Sequence, residues 1–214
     1  MTKELKKSQE KRHIFFLILL FATIYLIIFS EKKHQPSFVD DISPALVMEG
    51  GDPYIRALMR TISASEAAGE NPYVLLYGGG HIHDLSQHPD LCIDIKTDIN
   101  QGYCSTAAGR YQFLTTTWRE KSSLYHPDVG HSHNGNVYNF EPRYQDIVTY
   151  HWLKDNKQWQ MNIAAELKQG NLDKVLKRLS ATWTSLGYGI EDNKMTSALP
   201  DLYQNFLEQE LKYW

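Results

Sequence analysis

One carboxylate in this chain is spaced for acid-base chemistry. Ile55, Leu58, Met59 and Ile62 recur at i, i+3, i+4 and i+7, the stripe of an amphipathic helix that turns one face inward. Glu66 follows Ile55 by eleven positions, about 20° from it on the helical wheel, so it falls on the apolar face. Asp52 is a candidate N-cap, Pro53 suits the first helical position and Gly69 is a stop signal, which puts Glu66 in the last turn. That end of a helix carries negative partial charge, and together with desolvation it favours the protonated acid. A neutral carboxylic acid at neutral pH is a proton donor of the kind glycosidic bond cleavage requires. The alternative is a structural Glu66, satisfied by buried partners or turned to the solvent edge of its helix.

Two further segments carry groups that suit a sugar. In Ser105-Thr106-Ala107-Ala108-Gly109-Arg110-Tyr111-Gln112, small residues and Gly109 stand before a helical pattern. Such a turn brings backbone close to a saccharide, a tyrosine ring stacks on it and a glutamine amide bonds its hydroxyl or acetamido groups. Turns of this composition also start many helices with no ligand near them. In Trp183-Thr184-Ser185-Leu186-Gly187-Tyr188-Gly189 the flanking glycines predict a tight loop presenting Tyr188 to a groove. Trp183 continues the spacing of Leu176 and Leu179 and reads as core. His81, His83, Asp84 and His88 cluster, as do His126, His131 and His133. Neither group has the i, i+4 pairing of a zinc protease or the Cys/His spacing of a finger, so the expectation is solvated loop histidines and no metal.

The elements that must hold these groups are mostly helical. Beyond the Glu66 helix, apolar residues recur at helical spacing in Tyr111, Leu114, Trp118; in Tyr144, Ile147, Val148, Trp152 behind Pro142; in Leu172, Val175, Leu176, Leu179; and in Leu199, Leu202, Tyr203, Phe206. Residues 73–104 predict a small, irregular, β-rich lobe, and Ser122 to Phe140 a polar loop. The expected fold is α+β, a mostly helical domain over residues 52–214 with one minor β lobe.

Residues 14–30 are nearly unbroken apolar, about the length a bilayer needs, with Lys3, Lys6, Lys7, Lys11 and Arg12 before them. The basic flank predicts a cytoplasmic tail (1–13), an uncleaved membrane anchor (14–30), a Pro- and Gly-containing tether (31–51) and an exported domain. A buried core helix is the alternative for 14–30, although no polar face appears in it. The first thirty residues hold five of the 22 basic and two of the 25 acidic groups, leaving 17 against 23, a formal charge of −6. A domain that acidic is a poor candidate for nucleic-acid binding. Cys92 and Cys104 both fall in the exported part, where a disulfide closing a small loop is plausible and two free thiols the alternative.

An ordered set of these motifs resembles the lambda-endolysin family of lysozyme-like lytic transglycosylases. It comprises Ser65-Glu66, the run Tyr77-Gly78-Gly79-Gly80, Ser86 with His88-Pro89, Ser105 to Gln112 leading to Trp118, Gln145-Asp146, and Trp183 to Gly189, spanning most of residues 55–190. The resemblance implies a lysozyme-like fold with Glu66 as the single catalytic glutamate. It places Tyr111, Gln112 and Tyr188 along a saccharide groove, with Ser105 in the loop that shapes it. It further implies peptidoglycan glycan strands as substrate, no cofactor, and cleavage between N-acetylmuramic acid and N-acetylglucosamine with a 1,6-anhydro product. With the anchor, the expectation is a single-pass inner-membrane protein whose catalytic domain is periplasmic, its oligomeric state open. A hydrolytic lysozyme using Asp84, Asp90, Asp94 or Asp98 as partner, and a non-catalytic peptidoglycan-binding protein, are the competing readings.

Overall fold

In the computed structural model the described residues are 41–96, 101–129, 137–189 and 194–212. The expected anchor at 14–30, the expected basic tail before it and residues 31–40 of the expected tether lie outside them. Among the described residues no helix is long and apolar enough to cross a membrane.

The first described helix, α1 (Pro53–Glu66), is the spine of the domain. Asp52 caps it, its carboxylate accepting from the backbone N–H of Tyr54 at 3.0 Å and of Ile55 at 3.4 Å, and Pro53 occupies the first turn, where a missing N–H costs nothing. The predicted stripe of Ile55, Leu58, Met59 and Ile62 is fully buried. Burial on that scale stabilises by roughly 2 kcal/mol per side chain. The C-terminal helix α7 (Leu199–Lys212) packs along α1. Glu210 of α7 ion-pairs with Arg56 and Arg60 of α1, and the Arg60 guanidinium lies 4.3 Å over the Phe206 ring.

Among the described residues five more α-helices follow the expected patterns or fill gaps between them: α2 (Thr115–Tyr125), α3 (Pro142–Lys154), the short α4 (Asn156–Trp159), α5 (Ile163–Lys168) and α6 (Leu172–Leu179). Trp152, Trp159 and Trp183 form an aromatic knot at the centre, their ring centroids 5.1 to 6.0 Å apart.

The lobe between Pro72 and Ser105 contains less strand than predicted. Two 3₁₀ turns (Pro72–Val74 and Tyr77–Gly79) precede a minimal antiparallel hairpin, β1 (Ile93–Asp94) against β2 (Cys104–Ser105), in which Ile93 faces Ser105 and Asp94 faces Cys104. Cys92 and Cys104 are joined in a disulfide that ties the two strands.

Two boundaries differ from expectation. The pattern Tyr111, Leu114, Trp118 is not one helix: 109–114 is a turn, and α2 begins at Thr115. The described end of the expected tether is integral to the domain. Ser43, Leu46 and Met48 are buried. Arg110 donates to the Ser43 hydroxyl at 2.9 Å, Arg60 to the Ser43 carbonyl at 2.8 Å, and Asp146 accepts from the N–H groups of Val47 at 2.9 Å and Met48 at 3.2 Å. These partners lie up to 99 residues away in sequence, which is why a Pro- and Gly-containing segment with no period of its own reads as linker.

Candidate active site

The carboxyl end of α1, the 3₁₀ turn Tyr77–Gly79 of the lobe, the end of β2 and the 3₁₀ turn Thr184–Leu186 converge on a cavity of about 600 Å³. Glu66, half-buried as the last residue of α1, stands on its wall, with Tyr77, Ser105, Gln112 and Ser185 around it. The Ser185 hydroxyl donates to Glu66 Oε1 and lies 3.0 Å from Ser65 Oγ, which in turn donates to the Ile62 carbonyl at 2.9 Å. Glu66 is the one carboxylate on this wall among the described residues. Asp84 closes a turn on Ser86, Asp90 pairs with Arg119 and Thr115, and Asp94 is exposed on the hairpin. Asp98 lies outside the described residues.

Of the residues expected along the groove, Ser105 and Gln112 line the same cavity as Glu66. Ser105 Oγ accepts from the Ala107 N–H at 3.2 Å, shaping the strand that leads to the Gly109 turn. Gln112 has a left-handed backbone (φ 46°) and bonds through its amide to the Gly109 carbonyl at 3.0 Å. Such conformations in non-glycine residues cost on the order of 1 kcal/mol and gather at functional sites. Gly109 itself (φ 73°) admits no side chain, because a Cβ there would lie 2.3 Å from Gln145 Oε1.

Tyr111 touches the cavity but is not available as a stacking platform. Its ring is fully buried and its hydroxyl donates to Asp146 Oδ1 at 2.6 Å. Burial, with Asp146 beside it, holds the phenol well above its ordinary range. Asp146 also accepts from Tyr73 at 2.8 Å, and Tyr73 receives a hydrogen bond from Arg110 at 2.8 Å, so Tyr111 belongs to a buried polar network under the groove. Tyr188 is not among the residues that line the cavity. The loop is tight as expected, with φ of 95°, 61° and 80° at Gly187, Tyr188 and Gly189, yet the hydroxyl donates to Asp173 Oδ1 on α6 at 2.8 Å. Tyr77 is the aromatic side chain that lines the cavity from the lobe, beside glycines 78 and 79, both at positive φ. Its place before a glycine run was visible in sequence, but nothing there set it above Tyr111. Trp183 is core as read, donating from Nε1 to the Tyr111 carbonyl at 3.1 Å.

The histidine clusters divide. His81 and His83 are exposed, whereas His88 and His126 are buried, contrary to the solvated reading. Each begins a His-Pro-Asp turn. His88 Nδ1 accepts from the Asp90 N–H at 3.2 Å while Nε2 bonds the Phe113 carbonyl at 2.8 Å. His126 repeats the arrangement with the Asp128 N–H at 3.1 Å and the Asn139 carbonyl at 3.2 Å. One nitrogen accepts and the other donates, which specifies the neutral ring. Burial accordingly lowers both pKa values. His131 and His133 lie outside the described residues. Among the described residues, no group of three or more His, Cys, Asp or Glu side chains is placed to hold a metal ion.

A helical domain with a small hairpin lobe and an acidic residue at the cavity-facing end of its first helix defines a lysozyme-like glycosidase. Residues 56–210 match the Endolysin family, and the chain belongs to that family of peptidoglycan-cleaving glycosidases. The endolysin of Escherichia phage lambda is 28% identical over 130 residues, 59% of this chain and 70% of that protein. The structure of bacteriophage lambda lysozyme complexed with a chitohexasaccharide shares the fold with a TM-score of 0.52 at 22% identity, over 74% of this chain and 97% of that one.

Proposed function

We propose that this protein is a membrane-anchored lytic transglycosylase that cuts the β-1,4 bond between N-acetylmuramic acid and N-acetylglucosamine. The observation that carries the reading is the solitary carboxylate: among the described residues, no second Asp or Glu lines the cavity beside Glu66. Glycosidases that retain or invert with water generally need two carboxyl groups flanking the bond. A single one suffices when the substrate supplies its own nucleophile, because an intramolecular hydroxyl held in place has a very high effective concentration.

In this mechanism Glu66 gives its proton to the glycosidic oxygen as the C1–O bond breaks, and the N-acetylglucosamine unit leaves as an alcohol. The carboxylate then takes the proton of the muramoyl C6 hydroxyl, whose oxygen bonds to C1 of the same ring. The product is a 1,6-anhydro sugar, no water is consumed, and Glu66 ends protonated as it began. In this reading Ser105 and Gln112, which line the cavity, bond the sugar and the Tyr77 ring packs on it. The chitohexasaccharide held by the lambda lysozyme suits a groove that takes β-1,4-linked amino sugars.

Localisation in this proposal rests on the sequence: residues 14–30 as a single-pass inner-membrane anchor, the N-terminus cytoplasmic and the catalytic domain in the periplasm. Clearing of purified sacculi tests the catalytic reading. Glu66→Gln is expected to keep its thermal midpoint and lose at least the ~10²-fold typical of a general acid; a variant that still clears sacculi at the native rate rejects Glu66 as the acid.

A further inference from the structure

The hydroxyl chain behind Glu66 is arranged so that a hydrogen bond can strengthen as the proton leaves. Ser185 has one proton and two acceptors within reach, Glu66 Oε1 and, at 3.0 Å, Ser65 Oγ. Ser65 directs its own proton to the Ile62 carbonyl at 2.9 Å, which leaves its oxygen as an acceptor toward Ser185. Ser185 is held by the fold. It is buried, its turn is closed by bonds from Leu186 N–H to the Trp183 carbonyl and from Gly187 N–H to the Thr184 carbonyl, both at 3.0 Å, and Thr196 reaches its carbonyl at 3.4 Å. Gly187 (φ 95°) fixes that turn, since a Cβ would sit 2.5 Å from Thr196 Cγ2.

We infer that Ser185 is a positioning residue whose hydroxyl divides between Ser65 and Glu66 according to the charge on Glu66, stabilising the carboxylate as it forms. The inference rests on the reading of Glu66 as acid and then base. While Glu66 is a neutral acid it is a weak acceptor, and the Ser185 proton has Ser65 Oγ as an equal choice. As the proton passes to the leaving oxygen, Glu66 becomes an anion, and a hydrogen bond to an anion is about twice as strong as a neutral one. Rotation about Cβ–Oγ then commits the hydroxyl to Glu66 with no heavy atom moving. An interaction stronger in the transition state than in the ground state is the kind that raises kcat. The other titratable side chains on the cavity wall, among the described residues, are the phenols of Tyr77 and Tyr111.

The two serines therefore predict opposite effects. Ser185→Ala removes the donor to the anion: kcat falls roughly ten- to hundredfold and the alkaline limb of the pH-rate profile moves up by about one unit. Ser65→Ala removes the competing acceptor, commits Ser185 to Glu66 in the resting state, and moves the same limb down. Ser185→Thr keeps the hydroxyl and restores most of the rate. The experiment measures initial rates against pH for full-length, detergent-solubilised protein on soluble peptidoglycan glycan chains, with thermal midpoints recorded for each variant. Limbs moving in opposite directions at unchanged midpoints support the inference. Limbs that stay fixed, or move together, overturn it. If Ser185→Ala fails to fold, Ser65→Ala decides, since an unmoved or upward limb there overturns the inference too. Glu66→Gln run alongside separates the levels: an inactive Glu66→Gln with unmoved serine limbs removes only this inference, whereas an active Glu66→Gln removes the acid assignment itself.

Discussion

Replacing Asp146 by alanine empties the acceptor at the middle of the network beneath the groove. The native carboxylate is fully buried and accepts from Tyr111 at 2.6 Å, Tyr73 at 2.8 Å, Val47 N–H at 2.9 Å and Met48 N–H at 3.2 Å. Tyr111, Tyr73 and the Met48 N–H lose this acceptor at once, the Val47 N–H keeps only its longer bond to the Tyr73 hydroxyl at 3.3 Å, and Arg110, one hydroxyl away through Tyr73, loses a compensating charge. Each orphaned donor costs about 1–3 kcal/mol and a broken buried charge pair about 3–5 kcal/mol, not additively, so a total near ~4 kcal/mol is expected. For a domain of this size that lowers Tm by roughly 10 °C. Tyr111→Phe removes one donor and leaves Asp146 with three, so it should cost about 1 kcal/mol and roughly 3 °C. Calorimetry of the protein at pH 7.5 reads both. A Tm loss below about 3 °C for Asp146→Ala, or equal losses for the two variants, would refute the network as the anchor of the groove floor and of residues 43–48.

Acid should weaken the fold through the buried histidines. Burial lowers the pKa of His88 and of His126 from the usual 6.5. The unfolded chain therefore takes up protons first, and the stability these rings contribute is whole above about pH 6.5 and is lost as pH falls toward the folded values. Tm should decline from pH 7.5 to 5.0, and a flat or rising Tm over that window contradicts the assignment. Gly109→Ala forces a Cβ to 2.3 Å from Gln145 Oε1 and 2.8 Å from Phe140 at φ 73°. The conformational and overpacking costs together come to about 3 kcal/mol, so a denaturant midpoint close to native would be contrary. Reducing Cys92–Cys104, which closes a loop of sequence separation 12, should cost about 3 kcal/mol and slow clearing of sacculi because Ser105 follows directly on the bridge; reductant-insensitive Tm and activity would sink that role.

What could be read in advance was local. The α1 helix is legible because its cap, its first-turn proline and its stripe all lie within fifteen residues, and Glu66 inherits its position from them. Tyr111 and Tyr188 were placed by type and neighbours, but their rings are claimed by Asp146, 35 residues on, and Asp173, 15 residues back. No periodicity records those bonds. The same distance effect hid residues 43–48, whose partners Arg110 and Asp146 lie far along the chain, and Ser185, whose bond to Glu66 spans 119 residues. The paired His-Pro-Asp turns carried a signal in plain sight, the same tripeptide twice; its meaning depended on carbonyls at Phe113 and Asn139 that only the fold supplies.

The central claim is that one glutamate, without a second carboxylate, cuts the glycan by turning the substrate's own hydroxyl on itself. Mass spectrometry of muropeptides released from sacculi measures this directly. The expected products are 1,6-anhydromuramoyl species, about one water lighter than hydrolytic fragments, from the native protein and none from Glu66→Gln. Fully hydrated reducing ends from the native protein, or anhydro products from Glu66→Gln, would contradict it.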